Sequence, residues 1–369
     1  MFQKISVAKI VHPSNKSVST VGAPISLRLP GLDGLRAFCI LLVFLGHSSW
    51  THGYPGAWRA FLEALPESPA VFGVQIFFVI SGFLITCILT RNKALTSARL
   101  KTFYGRRALR ILPPAYAYLL FLAVWGHFTE FNLGKIDLIA SVFFFRHMAG
   151  INDCLHHFWS LSIEEQFYLL FPWILLLARN YRLHVTVGLL LAQPVLRVAA
   201  ASCCAESTVA VVDRAIRFDA IMTGCLLSLI YRNQFLEWLG VRHGTALLVF
   251  STGLIMATFT WNYHFETSLL SREIITVLRN VSIAGIIVGL VNNASPLCRP
   301  FNIRWVAWIG SISYSLYLWQ QFIFWPTPRS LWFHWFPMNV VVAFLVGVVA
   351  HYVIERPCDS LRDRLSYRR

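Results

Sequence analysis

RLPGLDGLRAFCILLVFLGH, residues Arg28–His47, is the stretch from which the fold is read. Beyond Gly31 it is apolar except for Asp33 and Arg36 near one end and His47 at the other. On an ideal α-helix the steps from Arg36 to His47 advance roughly 1100°, about 20° past three full turns, and rise about 16 Å. Those two side chains share a face, and Asp33 falls within about 40° of it. An acid, a guanidinium and an imidazole aligned on a span of Leu, Ile, Val and Phe point to a functional interior, since ionisable groups inside a bilayer are costly. The plainer alternative is an interfacial Asp33–Arg36 pair with His47 at the opposite boundary.

The composition supplies the setting. With 56% hydrophobic and 13% charged residues in a chain of 369, the sequence is that of an all-α, polytopic membrane protein, a helical bundle embedded in a lipid bilayer. Apolar runs bounded by charge and turn residues give ten predicted spans, near 30–49, 70–90, 111–128, 158–178, 184–202, 212–231, 244–262, 273–292, 305–325 and 338–355. A short or re-entrant helix is added at 136–146. Placing the N-terminus in the cytoplasm puts 22 Lys and Arg on the cytoplasmic side and 8 on the other, with Arg36 and Arg197 left inside spans. That asymmetry follows the positive-inside rule and predicts cytoplasmic termini. The net charge of +15 is then a matter of topology, and no nucleic-acid partner is expected.

Three regions result: a polar cytoplasmic segment at 1–29, a membrane domain at 30–356 and a basic cytoplasmic tail at 357–369. The first segment lacks the apolar core of a cleavable signal, so the first span is expected to direct its own insertion. Eight cysteines show no metal-ligand spacing, and no metal is expected. Cys154, Cys203 and Cys204 fall on the outer side, where a disulfide is chemically open.

Further motifs follow along the chain. In GVQIFFVISGFLIT, residues 73–86, Gly82 beside Ser81 permits close helix approach. FYGRRALRILPPAY, residues 103–116, ends the most basic loop, and on a helix Arg106, Arg107 and Arg110 gather on one side, where guanidinium forks suit phosphate oxygens. HFWSLSIEEQFYLLFPW, residues 157–173, pairs Ser162 with Glu165 in capping-box spacing and leaves Glu164 as an extra acid, with Tyr168 one turn on. Arg217 and Asp219 read as a salt bridge anchoring the sixth span. Tyr314, Tyr317 and Gln320, within WIGSISYSLYLWQQ, residues 308–321, supply polar contacts in the ninth.

Taken together and in this order, these motifs resemble the membrane acyltransferase 3 family. The resemblance rests on LDGLRA with Arg, ten residues and His; GVxxFFVxSGFLIT; FYxRRxxRIxPxY; WSLSxEEQFYLxxP; and SYSLYLW, and it extends over about residues 29–356. It implies transfer of an acyl group, commonly acetyl, from cytoplasmic acyl-CoA to a hydroxyl of a cell-surface or exported carbohydrate or glycolipid, in a bacterial inner membrane. By the same resemblance Arg36 and His47 match the family's Arg-x10-His motif, with His47 the expected catalytic residue, and Glu164 and Glu165 match its paired acids; the chemistry expected from these positions has His47 as general base, Arg36 guiding the donor and Glu165 orienting the imidazolium. Arg107 and Arg110, with Arg106, hold the acyl-CoA phosphates. Asp33, Glu164, Tyr168, Arg217, Asp219, Tyr317 and Gln320 are supporting or acceptor-side residues. Acetyl-CoA or another acyl-CoA is a donor substrate and not a resident cofactor. The sequence departs from the family in one place, Gln320, which stands where the family often has histidine after YLW. Three other readings are compatible with the same residues: a transporter or flippase using the buried polar groups as a pathway, an inactive family member acting as a partner subunit, against which Arg36 and His47 argue, and acylation of a small glycosylated metabolite.

Overall fold

The computed structural model describes residues 29, 31–90, 95–129, 134–148, 153–231, 234–264, 268–292, 295–325 and 331–367. The polar N-terminal segment lies outside them except for Leu29. Among the described residues the protein is all-helical, without a strand. Its helices are α1 (Leu32–Ser48), α2 (Gly56–Glu63), α3 (Pro69–Thr90), α4 (Ser97–Phe128), α5 (Lys135–Val142), α6 (Phe158–Leu177), α7 (Arg182–Cys203) and α8 (Glu206–Ala215). They continue with α9 (Asp219–Ile230), α10 (Gln234–His264), α11 (Leu269–Val291), α12 (Arg304–Ser311), α13 (Ser313–Phe324), α14 (Met338–Ala350) and α15 (Arg356–Tyr367).

Every predicted span lands on helix, but among the described residues only 6 helical stretches are long and apolar enough to cross a membrane. These are α3, α4, α7, α10, α11 and the stretch joining α14 to α15. The remaining predicted spans are shorter or more polar. The ninth is not one helix, because Ile312 (φ −98°, ψ 6°) leaves the helical region and separates α12 from α13. The short helix expected at 136–146 is present as α5.

Two other expectations change. Residues 97–110 of the basic stretch are helix, not loop: Thr96 caps α4 by accepting from the Arg99 amide (3.4 Å), and the helix continues through Pro113 and Pro114. The segment read as a basic tail forms α15, with a five-residue π-helical turn, His351–Glu355, joining it to α14.

The bundle is assembled around α3, which packs most extensively on α9 and α1. Close approach is possible because Gly82 of α3 lies against the Ile221 carbonyl of α9, while Gly224 of α9 lies against the Val79 carbonyl of α3. A side chain at either position would collide with backbone, so small residues set this interface. Gly31 begins α1 at φ 75°, a left-handed conformation that glycine adopts without strain, and its amide donates to Asn302 Oδ1 (2.9 Å). This fixes the start of the helix that carries Asp33, Arg36 and His47. None of the eight cysteines is disulfide-bonded, so the bridge left open among Cys154, Cys203 and Cys204 is not formed.

Candidate active site

One large cavity, of about 720 Å³, runs between α1, α3, α4, α6, α13 and α15. Its wall on α3 extends from Val74 to Leu89, a helical rise of about 22 Å, so it reaches through most of a hydrocarbon core roughly 30 Å thick. One end is lined by Arg36, Arg99, Arg106, Arg107, Arg110 and Arg362. Phe77, Ser160 and Tyr317 line another part of the cavity. The helical spacing that predicted a shared face for Arg106, Arg107 and Arg110 holds, and Arg36 joins them from α1. Arg99 and Arg362 add to this set. The second comes from the presumed tail, so no linear motif could have placed it there.

These arginines are not equivalent. Arg107 lies between Glu164 (3.3 Å) and Glu165 (3.5 Å), with its guanidinium carbon 3.2 Å from the Tyr168 ring centroid. Glu164 also accepts from Ser81 Oγ (2.6 Å) and from the Tyr168 hydroxyl. Arg107 is therefore held by two carboxylates and an aromatic face, and its Nε remains buried without a hydrogen-bond partner. Arg106 and Arg110 make no hydrogen bond or ion pair with the described residues, and both face the cavity. Of the three, they leave the most guanidinium hydrogen-bonding capacity open to the cavity. Arg36 is paired with Asp33 at 3.1 Å, the local i,i+3 contact that their spacing predicts.

His47 does not line the cavity but is joined to its Tyr317 side through Gln320. It is buried, its ring stacks obliquely on Trp50 with centroids 5.3 Å apart, and its Nδ1 lies 2.9 Å from Gln320 Oε1. Gln320 is one turn along α13 from Tyr317, whose hydroxyl meets Ser160 Oγ at 2.5 Å and the His157 carbonyl at 3.3 Å. The partner expected for His47 was Glu165. The structure corrects this: Glu165 is bound to Arg107, and the neutral amide of Gln320 takes the place beside the imidazole. His157 adjoins this pocket, buried against Tyr118 and Tyr317, with both ring nitrogens unpartnered. Sequence reading passed over it because it stands just before the WSLS motif.

The capping-box reading of Ser162 and Glu165 also fails. Helix α6 begins at Phe158, so Ser162 lies inside it, donating to the Phe158 carbonyl (2.7 Å) and accepting from the Arg146 amide (3.0 Å). Glu165 is thereby released from capping and faces α4.

The predicted Arg217–Asp219 bridge is replaced by two others. Arg217 pairs with Asp213 (2.7 Å) on the surface, while Asp219 pairs with the buried Arg197 (3.3 Å). Arg197 also binds both oxygens of Glu273, at 2.9 and 2.5 Å. Asp219 Oδ2 accepts from Asn280 (3.1 Å), whose Oδ1 accepts from Gln75 (2.8 Å), so the network ties α3, α7, α9 and α11 together. On the loop before α3, burial pushes the Glu67 carboxyl above the ordinary carboxylate range, opposed by Arg279 and Arg217. None of these residues lines the large cavity, so Arg217 and Asp219 belong to a separate region.

A family model described as an acyltransferase domain, that of the acyltransferase 3 family, matches residues 29–356. The chain is 29% identical over 319 residues to the peptidoglycan O-acetyltransferase OatA of Listeria monocytogenes, covering 79% of this chain and 49% of that protein. It is 27% identical over 379 residues to the O-acetyltransferase OatA of Staphylococcus aureus, covering 92% of this chain and 56% of that protein. The chain thus spans about half the length of these relatives. No solved structure matches it.

Proposed function

Because the chain belongs to the acyltransferase 3 family, we propose that this integral membrane protein is an O-acetyltransferase that takes its acyl group from acyl-CoA and passes it to a carbohydrate hydroxyl. The observation that carries this reading is the cavity itself: six arginines in its wall together with aromatic and hydroxyl groups, and a buried histidine bonded to Gln320, one turn along α13 from the cavity residue Tyr317.

The basic end faces the cytoplasm in this reading, in accord with the positive-inside bias. Arg106 and Arg110, with Arg36, Arg99 and Arg362 around them, hold the phosphates of the donor, for which guanidinium forks are suited. Arg107 braces the wall through Glu164, Glu165 and Tyr168 and adds positive charge to it. The pantetheine arm runs along α3 toward Ser160 and Tyr317. His47 then removes the proton of the acceptor hydroxyl as that oxygen attacks the thioester carbonyl; the carbon–sulfur bond breaks, and the thiolate leaves as the thiol with that proton. An imidazole is suited to this step because its ordinary pKa lies near neutrality.

Peptidoglycan is the first acceptor to test, since the OatA of Listeria is named for it. A bacterial cytoplasmic membrane is the matching location. The decisive experiment incubates purified protein in nanodiscs with radiolabelled acetyl-CoA and soluble glycan fragments, following both thiol release and label transfer. His47→Ala is expected to retain its fold and donor binding and to lose transfer by at least about a thousandfold. Undiminished transfer by this variant would remove His47 from the chemistry. Movement of unmodified glycan without thiol release would identify a transporter.

A further inference from the structure

We propose that Gln320 is a positioning residue that holds His47 in the Nδ1–H tautomer and thereby makes Nε2 the nitrogen that accepts the proton. The functional part of this inference rests on the acyltransferase reading above; the tautomer itself does not.

The assignment follows from what Gln320 touches on its other side. Its side chain is fully buried, with one amide atom 2.9 Å from His47 Nδ1 and the other 3.3 Å from the backbone carbonyl of Tyr317. A backbone carbonyl can only accept, so the atom facing it is the NH2 group. Turning the amide over would set two acceptor oxygens against each other with no proton between them, in a site where an unmet polar group is costly. A further contact at 3.3 Å to Gln321 Oε1 uses the second N–H. With both of its protons turned away from the histidine, Gln320 offers His47 only an oxygen. Nδ1 must then carry the hydrogen, and in neutral imidazole the lone pair is left on Nε2.

An amide also does something a carboxylate would not. It fixes the ring and the tautomer while adding no charge, so it does not stabilise imidazolium by an ion pair. The neighbouring imidazoles of His156 and His157 supply no compensating charge either. Among the described residues no carboxylate contacts His47, so the proton taken from the acceptor hydroxyl by Nε2 is not held there by an ion pair and is readily returned to the departing thiolate. Proton and electron pair balance without any group beyond acceptor, thioester and His47.

The test has an arm independent of activity. In protein labelled with ¹⁵N-histidine and placed in nanodiscs, the His47 resonances are identified by their loss in His47→Gln. At neutral pH they are expected to show a protonated Nδ1 and an unprotonated Nε2. A protonated Nε2 overturns the assignment, whatever the activity. In the kinetic arm, Gln320→Leu removes the acceptor and should lower kcat by roughly 10- to 100-fold, the range seen when an outer hydrogen bond that orients a histidine is removed, with KM for acetyl-CoA unchanged. Gln320→Glu keeps an oxygen in place and should stay within about tenfold of the parent. A Gln320→Leu protein with unaltered kcat and unaltered His47 resonances would make Gln320 mere packing. If Gln320→Leu does not fold, the parent spectrum still decides the tautomer. A protonated Nδ1 without any acyl transfer would uphold the assignment and sink the acyltransferase reading.

Discussion

Arg107, half-buried, and Arg197, buried, are both arginines set between two carboxylates, and they differ in what remains unsatisfied. Arg197 binds Glu273 in a two-pronged contact, reaches Asp219 and donates to the Ile216 carbonyl (3.3 Å). Its partner Asp219 is linked through Asn280 to Gln75, and none of this set lines the cavity. Arg107 makes two longer, one-pronged contacts, keeps a buried Nε without a partner, and stands in the wall of the cavity beside Arg106 and Arg110. Equal charge content thus gives a closed fastener in one region and an open, incompletely satisfied wall in the other. Buried ionic groups mark a site when their hydrogen-bonding capacity is left over and faces space, and not by burial alone.

The largest effect that would sharpen this contrast is on stability. Arg197→Met strands two carboxylates and should destabilise the protein by about 3–5 kcal/mol, read as a large fall in thermal midpoint in detergent. If the variant melts like the parent, the network is no fastener. Next comes Arg107→Ala, expected to lower acyl transfer about 100-fold, equivalent to about 2.7 kcal/mol, with a smaller loss of stability than Arg197→Met. The reverse ranking of the two variants in melting and activity would break the comparison. Arg110→Ala should weaken acetyl-CoA binding by about tenfold, measured by calorimetry, with the deficit shrinking at high salt as screening removes the phosphate contribution. The smallest effect belongs to Arg217→Ala: its pair with Asp213 is surface-exposed, and stability should change by no more than about 0.5 kcal/mol with transfer unaltered.

How far each feature could be read from sequence depended on the range of the interaction behind it. Asp33 and Arg36 were predictable as a pair because three residues on a helix bring side chains together whatever the rest of the chain does. The grouping of Arg106, Arg107 and Arg110 followed from the same periodicity. Gly82 was readable as a point of close approach, although not that Gly224 would meet it from α9. Ser162 misled because a capping box has the same spacing in the middle of a helix as at its start. Arg217 and Asp219 misled for a related reason: proximity in sequence favoured each other, while Asp213 and Arg197 were better placed in space.

The sequence by itself determined a helical membrane protein of the acyltransferase 3 family, with His47 and Arg36 on one face of its first helix, because hydrophobic length, helical period and motif order are all local along the chain. Tertiary structure alone decided the rest. It split the ninth predicted span at Ile312, brought Arg362 into the cavity, gave Glu165 to Arg107 and set Gln320 against His47. Those choices join residues up to 273 positions apart, and only the packing of α1, α4, α6, α13 and α15 around a common space determines which donor meets which acceptor.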